Sequence, residues 1–371
     1  MLTLAALPAV PLFLEVVLAG GRLSLGSAFG TALGSSFLVA IVTGLLAFGL
    51  GLPAGVLSAL YEFPGRALLL PLAVLPALVP SFLWAIGWAS LSARIGPAVT
   101  DFISGQAGCV LVFLAGAVPL VLIASYVATI GLGGSQIDAA RLAGGDRAVL
   151  RYASGAAAVP AVLAAALSAI LTLSDPGPGQ ILGVRTAASE VLTSFSALYD
   201  FPLAGRQCAV LGMLVLLLAA PLAWLAAPRL SVQLMARQTG SPRRPGLRRA
   251  GIGITAGFAF LAAGTVLMPG LGLVLPLLRG NDFVQALGVV RRTGVDTLLY
   301  AGGAGAVATG LGLLLALFAG RDNRLRTLCL GTCLAILALP PALGSLGIVH
   351  LAARAPAWAD PLLRSRATVC F

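Results

Sequence analysis

Runs of apolar residues long enough to span a bilayer follow one another along this chain with only short polar connections, and this pattern constrains the fold more than any motif does. Nine such stretches can be drawn, at residues 3–19, 31–60, 67–91, 107–130, 156–174, 206–228, 251–278, 296–319 and 326–350. A hydrocarbon core about 30 Å thick takes about 20 apolar residues in a helix, and within it every backbone polar group must be satisfied inside the protein. Of the 371 residues, 59% are apolar and 9% charged, against about 25% charged in a soluble domain. The expected fold class is therefore all-α, a polytopic transmembrane helical bundle of about nine spans in a lipid bilayer. Prolines interrupt the second and third stretches (Pro53, Pro71, Pro76, Pro80), and Pro80-Ser81 breaks the third near its middle. Neighbouring helices can re-satisfy the backbone groups such breaks free.

The charges that remain are informative by type and place. All 23 basic residues are arginine, so a lysine-bearing P-loop and Schiff-base chemistry are excluded. A single histidine, His350, rules out HExxH and multi-histidine metal centres, and it is expected at a membrane edge as an ordinary surface residue. A net charge of +11 would suit nucleic acid, but the arginines lie between apolar runs, where they set topology; no nucleic-acid partner is expected. The loop 229–249 holds Arg229, Arg237, Arg243, Arg244, Arg248 and Arg249 without an acid, which places it in the cytoplasm. Counting outward, the loops at Arg66, at 131–155 and at 320–326 (Arg321, Arg324, Arg326) are cytoplasmic too, with the N-terminus inside and the C-terminus outside. Arg279, Arg291 and Arg292 are discordant with this count. No arginine precedes the first apolar run, so no cleavable signal peptide is expected. Cys109, Cys208, Cys329, Cys333 and Cys370 form no CxxC and read as small buried hydrophobes. No cofactor or metal is expected.

An internal repeat organises the chain. Without gaps, residues 36–80 match residues 297–341: Gly44, Gly49, Gly51 and Pro80 recur as Gly305, Gly310, Gly312 and Pro341. The copies start six crossings apart and so point the same way, a parallel duplication about an axis along the membrane normal. The domains read as 1–230 complete, 231–250 a basic cytoplasmic linker, and 251–371 an incomplete second copy.

The most informative loop is 131–160. Ser135 and Asp138 have the spacing of a capping box. A short helix 136–143 should then stop at Gly144-Gly145, with Asp146 capping the helix that follows. The expected product is a rigid elbow projecting into the cytoplasm, with Asp138, Arg141, Arg147 and Arg151 on its polar surface. Asp138-Ala139-Ala140-x3-Gly144 resembles the EAA motif of the membrane subunits of bacterial binding-protein-dependent ABC importers. The stretch from about 30 to 230 resembles that permease domain, and 295–350 the start of a second. The likeness is nearest to the iron(III)-type permeases, which fuse two such domains. The segment from Ser174-Asp175-Pro176-Gly177-Pro178 through Ile181-Leu182-Gly183 to Ser196–Asp200 is similar to their loop after the fifth span.

The resemblance implies a permease subunit of an ATP-driven importer for iron(III) in the bacterial inner membrane. Such a subunit hydrolyses no ATP itself; it docks cytoplasmic ABC ATPase subunits and receives substrate from a periplasmic solute-binding protein. It further implies that Asp138, Ala139, Ala140, Arg141 and Gly144 are ATPase-coupling positions, the two alanines allowing close approach. Aspartate replaces the family's glutamate, and Ala156-Ala157 stands where Leu-Pro is usual, with Pro160 about a turn later. A second EAA motif would fall beyond Phe371, so the second copy is expected to be truncated. No substrate-binding residue is readable, and thiamine, polyamine and phosphonate importers remain alternatives. From another class, a secondary transporter should show intramembrane acids, whereas the acids here lie almost wholly in loops.

Among other residues, Glu15 is expected near the outer interface, where it is solvated. Asp175, Glu190 and Asp200 share the external loop 175–205 with Arg185 and suit a docking surface better than direct metal ligation, although hard iron(III) favours oxygen ligands. Gly51-x3-Gly55 permits close helix packing.

Overall fold

The computed structural model describes residues 24–235, 245, 249–278, 282–320, 322–344 and 346–347. Outside the described residues lie the expected first span with Glu15, most of the linker arginines (Arg237, Arg243, Arg244, Arg248), and Arg279, Arg321, His350 and Cys370. The chain separates into two compact units: one comprises 32–189 with 232–273, the other the residues before 32, 190–231 and those after 273.

Among the described residues the fold is all-helical, and six helices are long and apolar enough to cross a membrane, seven if one bent pair counts as a span. Of the nine expected stretches, the last reaches only Leu337 within a described helix of 15 residues.

In the first unit, α1 (Ser27–Leu60) and α6 (Gly134–Ser174) flank α5 (Gln106–Ile130). The most apolar window of α5 is 67% buried, the highest of the six, which makes α5 the core helix. Its Val118 and Val121 pack on Ala47 of α1 and on Ala161 and Ala165 of α6. Small residues let the helices come this close, because in lipid the attraction between helices comes from packing rather than from expulsion of water. Gly51 is required here: a Cβ on it would lie 2.6 Å from Val121 Cβ, and one on Gly55 would run into the Leu122 carbonyl.

The third apolar stretch is the bent pair. The helix α2 (Arg66–Val74) runs into a 3-10 turn, Leu75–Leu78, and α3 (Ser81–Ile95) leaves at 105° to it. Pro80 accounts for the break, since its ring pushes Val79 into extended backbone, φ −106° and ψ 132°. Trp84 Nε1 donates to the Pro76 carbonyl at 3.3 Å, satisfying an acceptor in the broken segment. The short helices α4 (Pro97–Ile103) and α7 (Gly177–Leu182) pack beside α3. A further apolar rod is formed by α10 (Arg249–Ala262), a π-turn at Ala263–Leu267 and α11 (Met268–Leu277).

In the second unit, α8 (Ala187–Ser196) leads to α9 (Phe201–Met235). Buried Gln207 of α9 accepts from Ser194 Oγ at 2.9 Å and donates to the Leu25 carbonyl at 2.8 Å. The long α12 (Asp282–Ala319) is followed by α13 (Asn323–Leu337), capped by Asp322, whose carboxylate accepts from the Arg324 N–H at 2.8 Å. Residues 36–80 and 297–341 are both mostly helical, with their last helical turns ending at Leu78 and Leu337. Cys109 and Cys208 are buried, as expected, whereas on α13 Cys329 is half-buried and Cys333 exposed.

Candidate functional site

The elbow at residues 131–160 forms within α6. Its cap differs from the sequence expectation: Gly133, not Ser135, is the N-cap. Gly133 already sits in extended backbone, and its carbonyl accepts from the N–H groups of Gln136 and Ile137 at 3.0 and 3.3 Å. Gln136 Oε1 reaches back to accept from the Gly133 N–H at 3.3 Å, so glutamine rather than Asp138 carries the reciprocal half of the box. The bend falls at the two expected glycines. Gly145 takes φ 63° and ψ −155°, a region essentially closed to residues with a side chain. A short arm, 134–143, thus meets a long arm, 146–174, at a fixed corner.

Side chains brace that corner. Asp146 accepts a hydrogen bond from the hydroxyl of buried Tyr61, at the end of α1. Its Oδ1 also lies 3.7 Å from Arg141 Nε, while Arg141 Nη1 lies 3.9 Å from Asp138 Oδ1. Arg141 Nη2 is buried without a hydrogen-bond partner. Burial raises the Tyr61 pKa above the usual value near 10; the charge of Asp146 and the hydrogen bond to it raise it further, and Arg141 lowers it in part. Exposed ion pairs of this kind contribute about 0–1 kcal/mol each, so the packing beneath the short arm does most to hold it. Buried Ile137 joins Val56, Leu60, Val149 and Ala153, with Ala140 against the same cluster.

The predicted coupling residues therefore divide. Asp138, Ala139 and Gly144 are exposed, whereas Ala140 and Arg141 turn inward and are half-buried. The two alanines face different ways, because consecutive helical positions point about 100° apart. The outward stripe is Ser135, Asp138, Ala139 and Leu142, spaced as neighbours on one helix face. Leu142, 90% exposed, was not anticipated from the sequence. Its signal is an isolated leucine one turn beyond Asp138 in a polar loop. Arg147 and Arg151 are exposed on the long arm.

Segments that arginine placement assigns to one side meet at this end of the unit. Arg66 Nη2 donates to the Tyr126 hydroxyl at the end of α5 at 3.5 Å, and Arg66 pairs with Glu62 at 3.3 Å. The Glu62 N–H donates to the carbonyl of Pro245, and Thr255 Oγ1 donates to that of Pro64 at 2.8 Å.

The acids of the stretch 175–205 sit in ordered structure. Asp175 closes the far end of α6, where Oδ2 accepts from Ser81 Oγ at 2.5 Å and Oδ1 from the Gly177 N–H at 2.8 Å. Glu190 lies in the first turn of α8, and Asp200 Oδ1 accepts from the Leu203 N–H at 3.0 Å to start α9. Among the described residues no three His, Cys, Asp or Glu side chains gather as a metal site would require.

No family model, curated protein or solved structure matches the chain. The class rests on the fold: a helical protein whose several long apolar helices suit it to a membrane as a multi-pass protein.

Proposed function

We propose that this chain is the permease subunit of an ATP-driven importer in a bacterial inner membrane, of the kind that carries iron(III), with its N-terminus in the cytoplasm. The observation that carries the reading is the braced elbow. A short helix ends at a glycine corner and offers Asp138, Ala139 and Leu142 outward, continuous with a long apolar helix. A partner that grips the short arm moves the long arm with it, because Ile137 and Ala140 pack the short arm against Val149 and Ala153 of the long arm and against Val56 and Leu60 of α1. In this reading cytoplasmic ATPase subunits dock on the stripe, Leu142 entering an apolar pocket of the partner. An external binding protein delivers the substrate, and the chain hydrolyses no ATP. Iron(III) as substrate rests on the EAA-type resemblance, as does the pairing of residues 36–80 with 297–341 as two copies of one domain.

Co-purification with ABC ATPase subunits co-expressed with this chain tests the reading. Leu142→Asp and Asp138→Lys should each cut ATPase association about tenfold or more, while Arg151→Ala leaves it unchanged. Association unaffected by either stripe variant would overturn the docking assignment.

A further inference from the structure

The end of α6 opposite the elbow borders a cavity of about 290 Å³ between the broken third stretch, α5 and α6. Most of its wall is apolar or aromatic, Trp84, Val112 and Phe113 among it, and its polar side chains are Ser81, Ser168, Thr172 and Asp175.

The direction of the hydrogen bonds decides what such a wall can bind. Ser168 Oγ donates to the Ala164 carbonyl at 2.8 Å, Thr172 Oγ1 to the Ala169 carbonyl at 2.7 Å, and Ser81 Oγ to Asp175. Trp84 Nε1 is committed to the Pro76 carbonyl. Each of these donors is spent inside the protein, so what the side chains still offer is oxygen lone pairs. Asp175 adds a carboxylate that accepts two hydrogen bonds, from Ser81 and Gly177, and belongs to no ion pair among the described residues. An ionised carboxylate has about four lone-pair sites, which leaves about two for a ligand. An acceptor-only wall with one net negative charge disfavours anions and rewards a ligand that brings N–H donors and positive charge. Aromatic surface beside it adds attraction for a cation. A bare metal ion fits less well, because it needs several hard ligands at about 2–2.6 Å, and no cluster of the required side chains is present among the described residues.

We infer that this cavity is a binding site for a small organic cation, an ammonium or amidinium group seated on Asp175 with its apolar part against Trp84 and Phe113. The inference stands on the cavity alone and does not depend on coupling at the elbow.

The test is equilibrium binding to the full chain purified in detergent, by calorimetry, with butylammonium, choline and benzamidinium as probes. The controls are 1-butanol as a neutral isostere, butyrate as an anion, and Mg²⁺ and Mn²⁺ as bare metals. The organic cations should bind at least tenfold more tightly than 1-butanol, with no uptake of butyrate. Asp175→Asn keeps one oxygen to accept from the Gly177 N–H while its NH2 donates to Ser81 Oγ, and by removing the charge it should weaken cation binding at least tenfold. Gly116→Leu gives a second, independent variant: Gly116 lines the cavity, and a Cβ there meets no atom within 4 Å. It should plug the site and abolish binding while gel-filtration behaviour and thermal unfolding stay as in the parent. Equal binding of butanol and butylammonium, binding of the bare metals alone, no binding of any probe, or cation binding that survives Gly116→Leu would each overturn the inference.

Discussion

The helices α1 and α12 carry the same glycine pattern and meet opposite surroundings. On α1, a Cβ at Gly44 would sit 3.2 Å from the Ala165 carbonyl oxygen, and one at Gly51 would sit 2.6 Å from Val121. On α12, the matching Gly305 and Gly312 have nothing within 4 Å, and none of the helix's most apolar window is buried. Gly49 and Gly310 are open in both. The contrast separates two things that a glycine pattern confounds. Spacing makes a flat face on a helix, but only a neighbour of the right shape turns that face into a packed contact.

The sharpest way to break the comparison is to fill the same position on each helix. Gly51→Leu should overpack α1 against Val121 and cost about 3 kcal/mol or more, seen as a large drop in thermal unfolding temperature and loss of the monodisperse peak in detergent. Gly312→Leu should leave both unchanged; an equal loss in the two variants would mean that α12 is packed after all.

Next in size is the pair of glycines that end helices with positive φ. Gly145→Ala should cost about 1–3 kcal/mol, because φ 63° with ψ −155° is closed to alanine. Gly320→Ala, at φ 51° after α12, should cost about 1–2 kcal/mol. Chemical denaturation would sharpen the difference between a corner braced by Tyr61 and a plain helix end.

Tyr61→Phe should remove a hydrogen bond from the braced corner and cost about 1 kcal/mol at neutral pH. Its pH dependence has a definite sign. The Tyr61 pKa is raised in the folded protein, so its stabilising contribution is complete below the unfolded value near 10 and is lost as pH rises through the folded value. An ultraviolet titration should show a late tyrosine ionisation that is absent from Tyr61→Phe.

The smallest effects should come from alanine in open helix positions. Gly310→Ala and Gly312→Ala should each stabilise by up to about 1 kcal/mol through helix propensity, and Gly49→Ala should behave alike, whereas Gly51→Ala should not. Thermal shifts of the four single variants measure this directly.

Much of the helical architecture is legible along the chain. Apolar run length marks six of the long helices, and Pro80 marks the break in the third stretch. At the elbow, Gly144-Gly145 announces the corner because few other residues tolerate it. The cap falls two residues before Ser135, since Gln136 and Asp138 both fit the reciprocal half of a capping box and only the path of the backbone chooses between them. Asp175 reads as a loop acid because it follows the last apolar residue of its run. Its partner Ser81 lies 94 residues away, a pairing that no local pattern encodes.

What the sequence by itself determined is local and periodic: helical class, the long apolar helices, breaks and bends, each governed by residues within a turn or two. What only the tertiary structure decided is which faces meet. It turned Ala140 inward and left Leu142 outward, filled the glycine face of α1 and left that of α12 open, and brought Ser81 to Asp175. The physical reason is that contact between distant segments depends on the complementary shapes of both partners, and one strand of sequence describes only one of them at a time.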